Sequence, residues 1–227
     1  MDIGAETTKA RDLETYRNLV LDTLATNDKD TPLAILYSVE QQDAVPEISE
    51  SLETSRKCFL KGTLGLPFNH PVAPARLGLT HCSVGSIPYL RNAAKSREPT
   101  LLHIDDTPFS QYLAHDIQWR GYGDPCRSLV ICPILPTSEN VLGFLIVGLN
   151  PRRLYDEDYQ LFIQVMNRLF ATSLASVVLF EEEIWHRENM IGKRLRFKSN
   201  SRSNFSGLNE KLNLLRRNSS VSLSEQI

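Results

Sequence analysis

The sequence predicts an α+β domain: an antiparallel sheet with the N- and C-terminal helices packed together on one side, the C-terminal helix being long. Three observations carry this reading. "LAILYSV" (33–39) alternates apolar residues at the period of a strand, whereas the segments near both ends repeat them every three or four residues. "SLVICPIL" and "VLGFLIVGL" are strongly apolar and flank a polar turn, as expected of a buried central hairpin. Finally, Phe162, Met166, Leu169, Phe170, Val177, Phe180 and Ile184 keep helical spacing over many turns.

Taken in order, residues 5–26 read as a helix, because Leu13, Tyr16, Leu19, Val20 and Leu24 share one face. "TNDKDTP" ends it. The strand that follows places Leu33, Ile35, Tyr37 and Val39 on one side. "QQDAVPEISES" is a polar loop, and "RKCFLKGTLGL" is a second strand that forms an antiparallel hairpin with the first. Residues 67–78, rich in Pro and small side chains, are expected to hold no extended regular structure. "IPYLRNAAKSREP" is a helix stopped by Pro99, "TLLHI" a short strand, and 110–119 another short helix. "RGYGDPCR" is the most turn-prone run, and it leads into the central hairpin. After "NPRR", the acids Asp156, Glu157 and Asp158 suit the positive end of a helix dipole and start the last helix, about 155–190.

The chain has 227 residues, 41% hydrophobic and 23% charged, which is the balance of one globular domain with flanking segments. Its organisation reads as an N-terminal helix (1–30), a domain with its long C-terminal helix (31–192) and a basic, Ser-rich, disordered tail (193–227). From Lys193 onward eight Lys/Arg face two acids. The tail is too short and too poor in aromatics for a nucleic-acid module. The polar start carries no secretory signal, and "PTSEN" interrupts the longest apolar region short of the roughly 20 residues a bilayer requires. A cytoplasmic protein without membrane or nucleic-acid partners is expected.

No nucleophile elbow, zinc-protease motif, phosphate loop or spaced carboxylate pair occurs, so no catalytic residues are assigned. Cys58, Cys82, Cys126 and Cys132 show no ligand spacing, and burial as small hydrophobes is expected, with no metal and no cofactor. His70, His103, His115 and His186 read as packing or solvated residues. Arg152 and Arg153 are expected to pair with nearby acids.

"FLKGTLGLPFNHPVAPA", "RNAAKSREPTLL", "QWRGYGDPCRSLVICPI" and "VLGFLIVGLNPRRLYDEDYQLFIQ" with "ATSLASVVLFEEEI" resemble the N-terminal GAF region of filamentous-fungal hybrid histidine kinases, over about 32–184. GAF domains are small-molecule-sensing relatives of PAS domains. The resemblance implies a non-catalytic sensor module of two-component phosphorelay signalling, which binds a small molecule or a partner and transmits through its C-terminal helix. In that family the helix runs on into kinase and receiver modules; here nothing after "HREN" resembles them.

The resemblance also implies that segments between the middle strands cover the ligand cavity. Trp119, Arg120, Tyr122, Asp124, Cys126 and Arg127 are the residues this points to as the pocket wall, since an aromatic and fixed charges can orient a polar ligand. The alternative reading of that run is a turn locked by its own Arg–Asp pair. The cyclic-nucleotide signature and the bilin-pocket motifs around His81–Cys82 are both missing. Phe162, Met166, Leu169, Val177, Phe180 and Ile184 form the expected dimer and signalling stripe, pairing with a second copy or with a histidine kinase. Ser219, after Arg216 and Arg217, is a candidate phosphosite, and "LNEKLNLLRR" a candidate docking helix. Two other readings stay open: a cysteine-based enzyme like the free methionine-(R)-sulfoxide reductases, using Cys82 and Cys126, and a ligand-free dimerisation or decoy fragment of a kinase.

Overall fold

The computed structural model describes residues 10–41, 56–67, 69–79, 85–113, 117–136 and 140–187. In chain order they form α1 (Leu13–Ala25), β1 (Leu33–Gln41), β2 (Arg56–Leu64), β3 (Arg76–Gly78), α2 (Ile87–Ser96), β4 (Thr100–His103), a 3-10 turn (Ile104–Asp106), α3 (Phe109–Leu113), β5 (Ser128–Ile134) and β6 (Gly143–Gly148). Helix α4 follows, spanning Glu157–Arg187. The six strands make one antiparallel sheet in the order β3-β2-β1-β6-β5-β4.

Helix ends follow local chemistry. Asp12 caps α1 by accepting from the Thr15 N–H at 2.8 Å, and Asp156 caps α4 by accepting from the Tyr159 N–H at 2.9 Å. The Asp12 cap explains why α1 starts later than the apolar period alone suggests; residues 1–9 lie outside the described residues. Helix α2 ends where Arg97 turns left-handed (φ 60°), two residues before Pro99.

Strand alternation divides the core into two layers. Leu33, Ile35 and Tyr37 of β1, Leu129 and Ile131 of β5, and Phe144 and Ile146 of β6 face α2, α3 and the loops around them. Ala34, Leu36, Val130, Cys132, Leu145 and Val147 face the other way, onto Tyr16, Val20 and Leu24 of α1 and Tyr159, Ile163, Met166, Phe170, Leu174 and Val177 of α4. A strand covered on both faces reads as a continuous apolar run, which is why β5 and β6 are the most hydrophobic segments. The two terminal helices meet on one side, as expected, and the Tyr16 hydroxyl donates to the Phe170 carbonyl at 2.7 Å.

Two expectations change, and one proline inside an expected strand calls for a physical reason. The Pro-rich stretch contains β3, because Lys57–Phe59 supply the hydrogen bonds that its own propensity lacks. Of the helix expected over 110–119, the described residues hold Phe109–Leu113; residues 114–116 lie outside the described residues, and Ile117–Arg120 run without regular structure towards α1. Pro133 stands inside β5, where it is tolerated because the pairing of β4 ends at Ile131 and leaves that side of β5 open.

Two units make up the chain, Met1–Leu179 and Phe180–Ile227. Helix α1 belongs to the same unit as the sheet. Of the second unit only 180–187 are described; they are helical, with an Arg187–Glu183 ion pair one turn apart. Helix α4 is long and apolar enough to cross a membrane by length and composition, but the apolar side chains named above lie against the sheet.

Candidate functional site

On the face of the sheet away from α1 and α4 lies a cavity of about 310 Å³. Its walls come from the loop before β3 (Pro71, Val72, Pro74), from β3 itself and from the N-terminal ends of α2 and α3. Long-range hydrogen bonds hold that loop in place. The Tyr37 hydroxyl donates to the Pro74 carbonyl at 3.0 Å, and the Leu60 N–H to the Ala75 carbonyl at 3.0 Å. His70, itself buried, accepts from the Val72 N–H through Nδ1 at 3.3 Å. The Arg91 guanidinium of α2 grips the Leu79 carbonyl at 2.7 Å and 3.1 Å, tying α2 to the end of β3.

The lining is mostly apolar. Val72, Ile87 and Phe109 are buried, and the Phe109 ring packs against Tyr89 at 6.4 Å. Three polar groups border it: Arg76, whose guanidinium lies 5.7 Å over the Phe59 ring, the buried Ser86 and the half-exposed Tyr112. An apolar floor with a cation and two hydroxyls at its edge suits a small molecule with an apolar body and a polar or anionic head. Among the described residues no cluster of His, Cys, Asp or Glu is placed to hold a metal ion.

The residues expected at the pocket wall are elsewhere, and none of the six lines this cavity. Trp119 packs partly buried against the same core layer. The Arg120 guanidinium donates through Nη2 to the Ala25 carbonyl at the end of α1 (2.7 Å), leaving the buried Nη1 without a partner. Gly121 (φ 67°) comes so near the α1–β1 loop that a Cβ would lie 2.6 Å from the Asp28 carbonyl oxygen. The Tyr122 ring is flanked by Arg152 at 4.3 Å and Lys29 at 5.5 Å. Asp124 pairs with Arg152 at 2.6 Å, so its partner comes from the β6–α4 loop and not from within its own turn. Cys126 is buried, and its sulfur would lie 2.8 Å from a Cβ on Gly148. Arg127 is exposed, and its carbonyl accepts from the Ile104 N–H at 3.0 Å. Together these residues brace the α1–β1 loop against the β6–α4 loop.

The other candidates divide similarly. Arg153 pairs with Asp156 at 3.9 Å, as its spacing leads one to expect. His103 hydrogen-bonds Ser128 at 3.1 Å. Cys58, Cys126 and Cys132 are buried thiols, and desolvation pushes each up to about 12. His81, Cys82, His115, Ser219 and the 193–227 tail lie outside the described residues. Of the α4 stripe, Met166 and Val177 are buried against the sheet and Phe162 half-buried, whereas Leu169 is 37% exposed. Phe180 and Ile184, in the second unit, are exposed. A further apolar row outside that stripe, Leu161, Val165 and Leu179, is 58%, 49% and 65% exposed.

The cavity escapes a reading of the sequence because its residues come from three separate segments. The one local signal is Val72, Ala73 and Leu77 placed among prolines, a loop with more apolar content than a solvated loop needs.

No family model and no curated protein matches the sequence. Solved structures do match by shape. The GAF domain/HD domain protein from Geobacter sulfurreducens is 14% identical, with a TM-score of 0.50 over 77% of this chain and 97% of that one. The GAF domain of a two-component sensor histidine kinase from Bacillus halodurans is 16% identical (TM-score 0.46; 76% and 99% covered). Free methionine-R-sulfoxide reductase from Neisseria meningitidis, in complex with its substrate, is 13% identical (TM-score 0.49; 78% and 86% covered). The chain has the GAF fold.

Proposed function

We propose that this chain is a sensory GAF module of phosphorelay signalling, which takes a small molecule in the cavity beside β3 and transmits its occupancy through α4. The observation that carries this reading is the cavity itself: about 310 Å³, apolar within, and bordered by Arg76, Ser86 and Tyr112. Its α2 wall is tied to β3 through Arg91 and Leu79, so a ligand there acts on the sheet that α4 packs against on the opposite face. The link to hybrid histidine kinases of the filamentous-fungal kind is supported by the sequence motifs quoted above, and a cytoplasmic setting follows from it.

Helix α4 pairs with a second copy of itself or with the matching helix of a kinase through Leu161, Val165, Leu169 and Leu179, not through the whole stripe read from the sequence. Met166 and Val177 are committed to the core and cannot reach a partner. Leu161 and Val165 are four apart, as are Val165 and Leu169, so the three stand one above another on one face.

A thiol-based reductase needs a nucleophilic thiolate, which calls for an electropositive, partly exposed site. Burial holds Cys126, as well as Cys58 and Cys132, in the opposite state, which supports the sensory reading; Cys82, the other cysteine of the reductase reading, lies outside the described residues.

The test is a thermal-shift screen of small carboxylates, amines and heterocycles on the full chain, repeated on Leu77→Trp, which narrows the cavity from a half-buried position. Hits that stabilise the native chain and are lost in the variant support the reading. Hits that Leu77→Trp leaves unchanged, or a screen without hits, overturn it. Light scattering tests the seam: Leu161→Glu with Val165→Glu turns a dimer into a monomer, and an unchanged dimer mass refutes the pairing.

A further inference from the structure

A second cavity lies on the opposite face of the sheet, between α1, α4 and the neighbouring ends of β1 and β6, with a volume of about 190 Å³. We infer that it is a binding site for a small amphiphilic monocarboxylate, an alkyl or arylalkyl acid anion. Its body is apolar: Leu36 and Ile134 from the sheet, Leu142 at its edge and Leu174 from α4 line it. At about 30 Å³ for each water-sized group, the space takes roughly six such groups, a short alkyl chain or a single ring. Drug-sized ligands need about 300 Å³ or more.

Two observations point to an anionic head. Arg17 of α1 lines the cavity half-buried and has no ion-pair partner among the described residues. Lys61 lines it too, with Glu40 at 3.6 Å as its acid. One cation is thus matched and one is not, which fits a single negative charge better than a dianion. The wall also holds an unmet hydrogen bond. Ser38 faces the helices by strand alternation with Leu36, is 6% exposed, and has an Oγ with no partner. Buried hydroxyls are ordinarily paired, and an orphan in a cavity wall marks where an occupant's oxygen belongs.

Position gives the site its consequence. Tyr16 lines the cavity and its hydroxyl clasps the Phe170 carbonyl of α4, one turn before the lining residue Leu174. An occupant therefore presses on the contact between the two terminal helices directly, without passing through the sheet. This site is independent of the one beside β3 and stands or falls separately.

The experiment is titration calorimetry of the full chain with hexanoate and, as neutral analogue, 1-hexanol. Hexanoate is expected to bind one per chain and more tightly than 1-hexanol. Arg17→Gln should weaken hexanoate about tenfold, the loss of a charge-assisted contact, while leaving 1-hexanol unchanged. Leu142→Trp should fill the cavity and remove both. Absence of hexanoate binding, equal affinity for acid and alcohol, or hexanoate binding indifferent to Arg17→Gln each overturns the proposal. Arg17 is partly exposed on a helix, so that variant decides the question even if Leu142→Trp fails to fold.

Discussion

Tyr159→Phe isolates one hydroxyl that fastens three segments. Tyr159 is fully buried in the first turn of α4. Its phenol donates to the Asp30 carbonyl at 2.9 Å and accepts the Asn150 N–H at 3.1 Å. Asn150 in turn donates through Nδ2 to the Asp30 carboxylate at 3.1 Å and accepts from the Arg152 N–H at 2.9 Å. Phenylalanine keeps the ring packing but strands a buried N–H and a carbonyl together. Leaving such groups unpaired costs about 1–3 kcal/mol, and a central figure of about 2 kcal/mol is expected here. With a urea m-value of about 2–3 kcal/mol/M, the midpoint should fall by about 0.7–1 M, and Tm by about 4–8 °C for a chain this size. The assay is urea unfolding followed by far-UV circular dichroism, with the m-value compared between variants. Tyr155→Phe is the control: its ring lies 5.8 Å from that of Tyr159, and its hydroxyl makes no hydrogen bond among the described residues. A midpoint within about 0.2 M of the parent, or a Tyr155→Phe variant equally destabilised, would show that the phenol does not fasten these segments.

Three further outcomes follow from burial. In a Cys82→Ala chain the remaining thiols, Cys58, Cys126 and Cys132, should react with Ellman's reagent only as fast as the protein unfolds; rapid labelling in native buffer would show an open thiol. Each has its pKa raised by desolvation from 9.0 to about 12, and Tyr159 from 10.0 to about 12, so their protonated forms favour folding below about pH 9. Stability should then be lost progressively as pH rises from about 9 to 12, and a flat thermal midpoint across that range would contradict it. Met166→Ala, at 1% exposure in the layer between α4 and the sheet, should cost about 2–5 kcal/mol in urea unfolding, and a loss below about 1 kcal/mol would mean that α4 packs more loosely than described.

Most of the elements can be read in the sequence because each is stamped locally. The alternation of Leu33, Ile35 and Tyr37 marks β1 and its inner face. The acids at Asp156–Asp158 mark the start of α4, where Asp156 provides the cap. Pro99 marks the end of α2. Element lengths are less legible. Strand β3 exists only because Lys57–Phe59 lie beside it, and Ile117–Arg120, expected as helix, run without regular structure towards the α1–β1 loop.

The candidate site is scarcely legible. "WRGYGDPCR" has the residue types of a binding wall, yet its arginine goes to Ala25, its tyrosine to Lys29 and Arg152, and its aspartate to Arg152. Residue type announces what a side chain can do, not which distant group it meets. The same holds for the helical stripe. A period of three to four residues shows that α4 has an apolar face, but Met166 and Leu169 differ by only three positions and end up buried and exposed.

The α+β class, the antiparallel hairpin order, the start of α4 and the burial of β5 and β6 are all written in the chain's linear order. Those are local or nearest-neighbour properties, fixed by backbone propensity and by the period of apolar residues. Folding in three dimensions was needed for Pro71–Pro74, α2 and α3 to enclose one cavity and for Arg17, Ser38 and Lys61 to border another. A cavity is the space left between elements distant in sequence. Its shape depends on how they cross and pack, and no single stretch of residues encodes that.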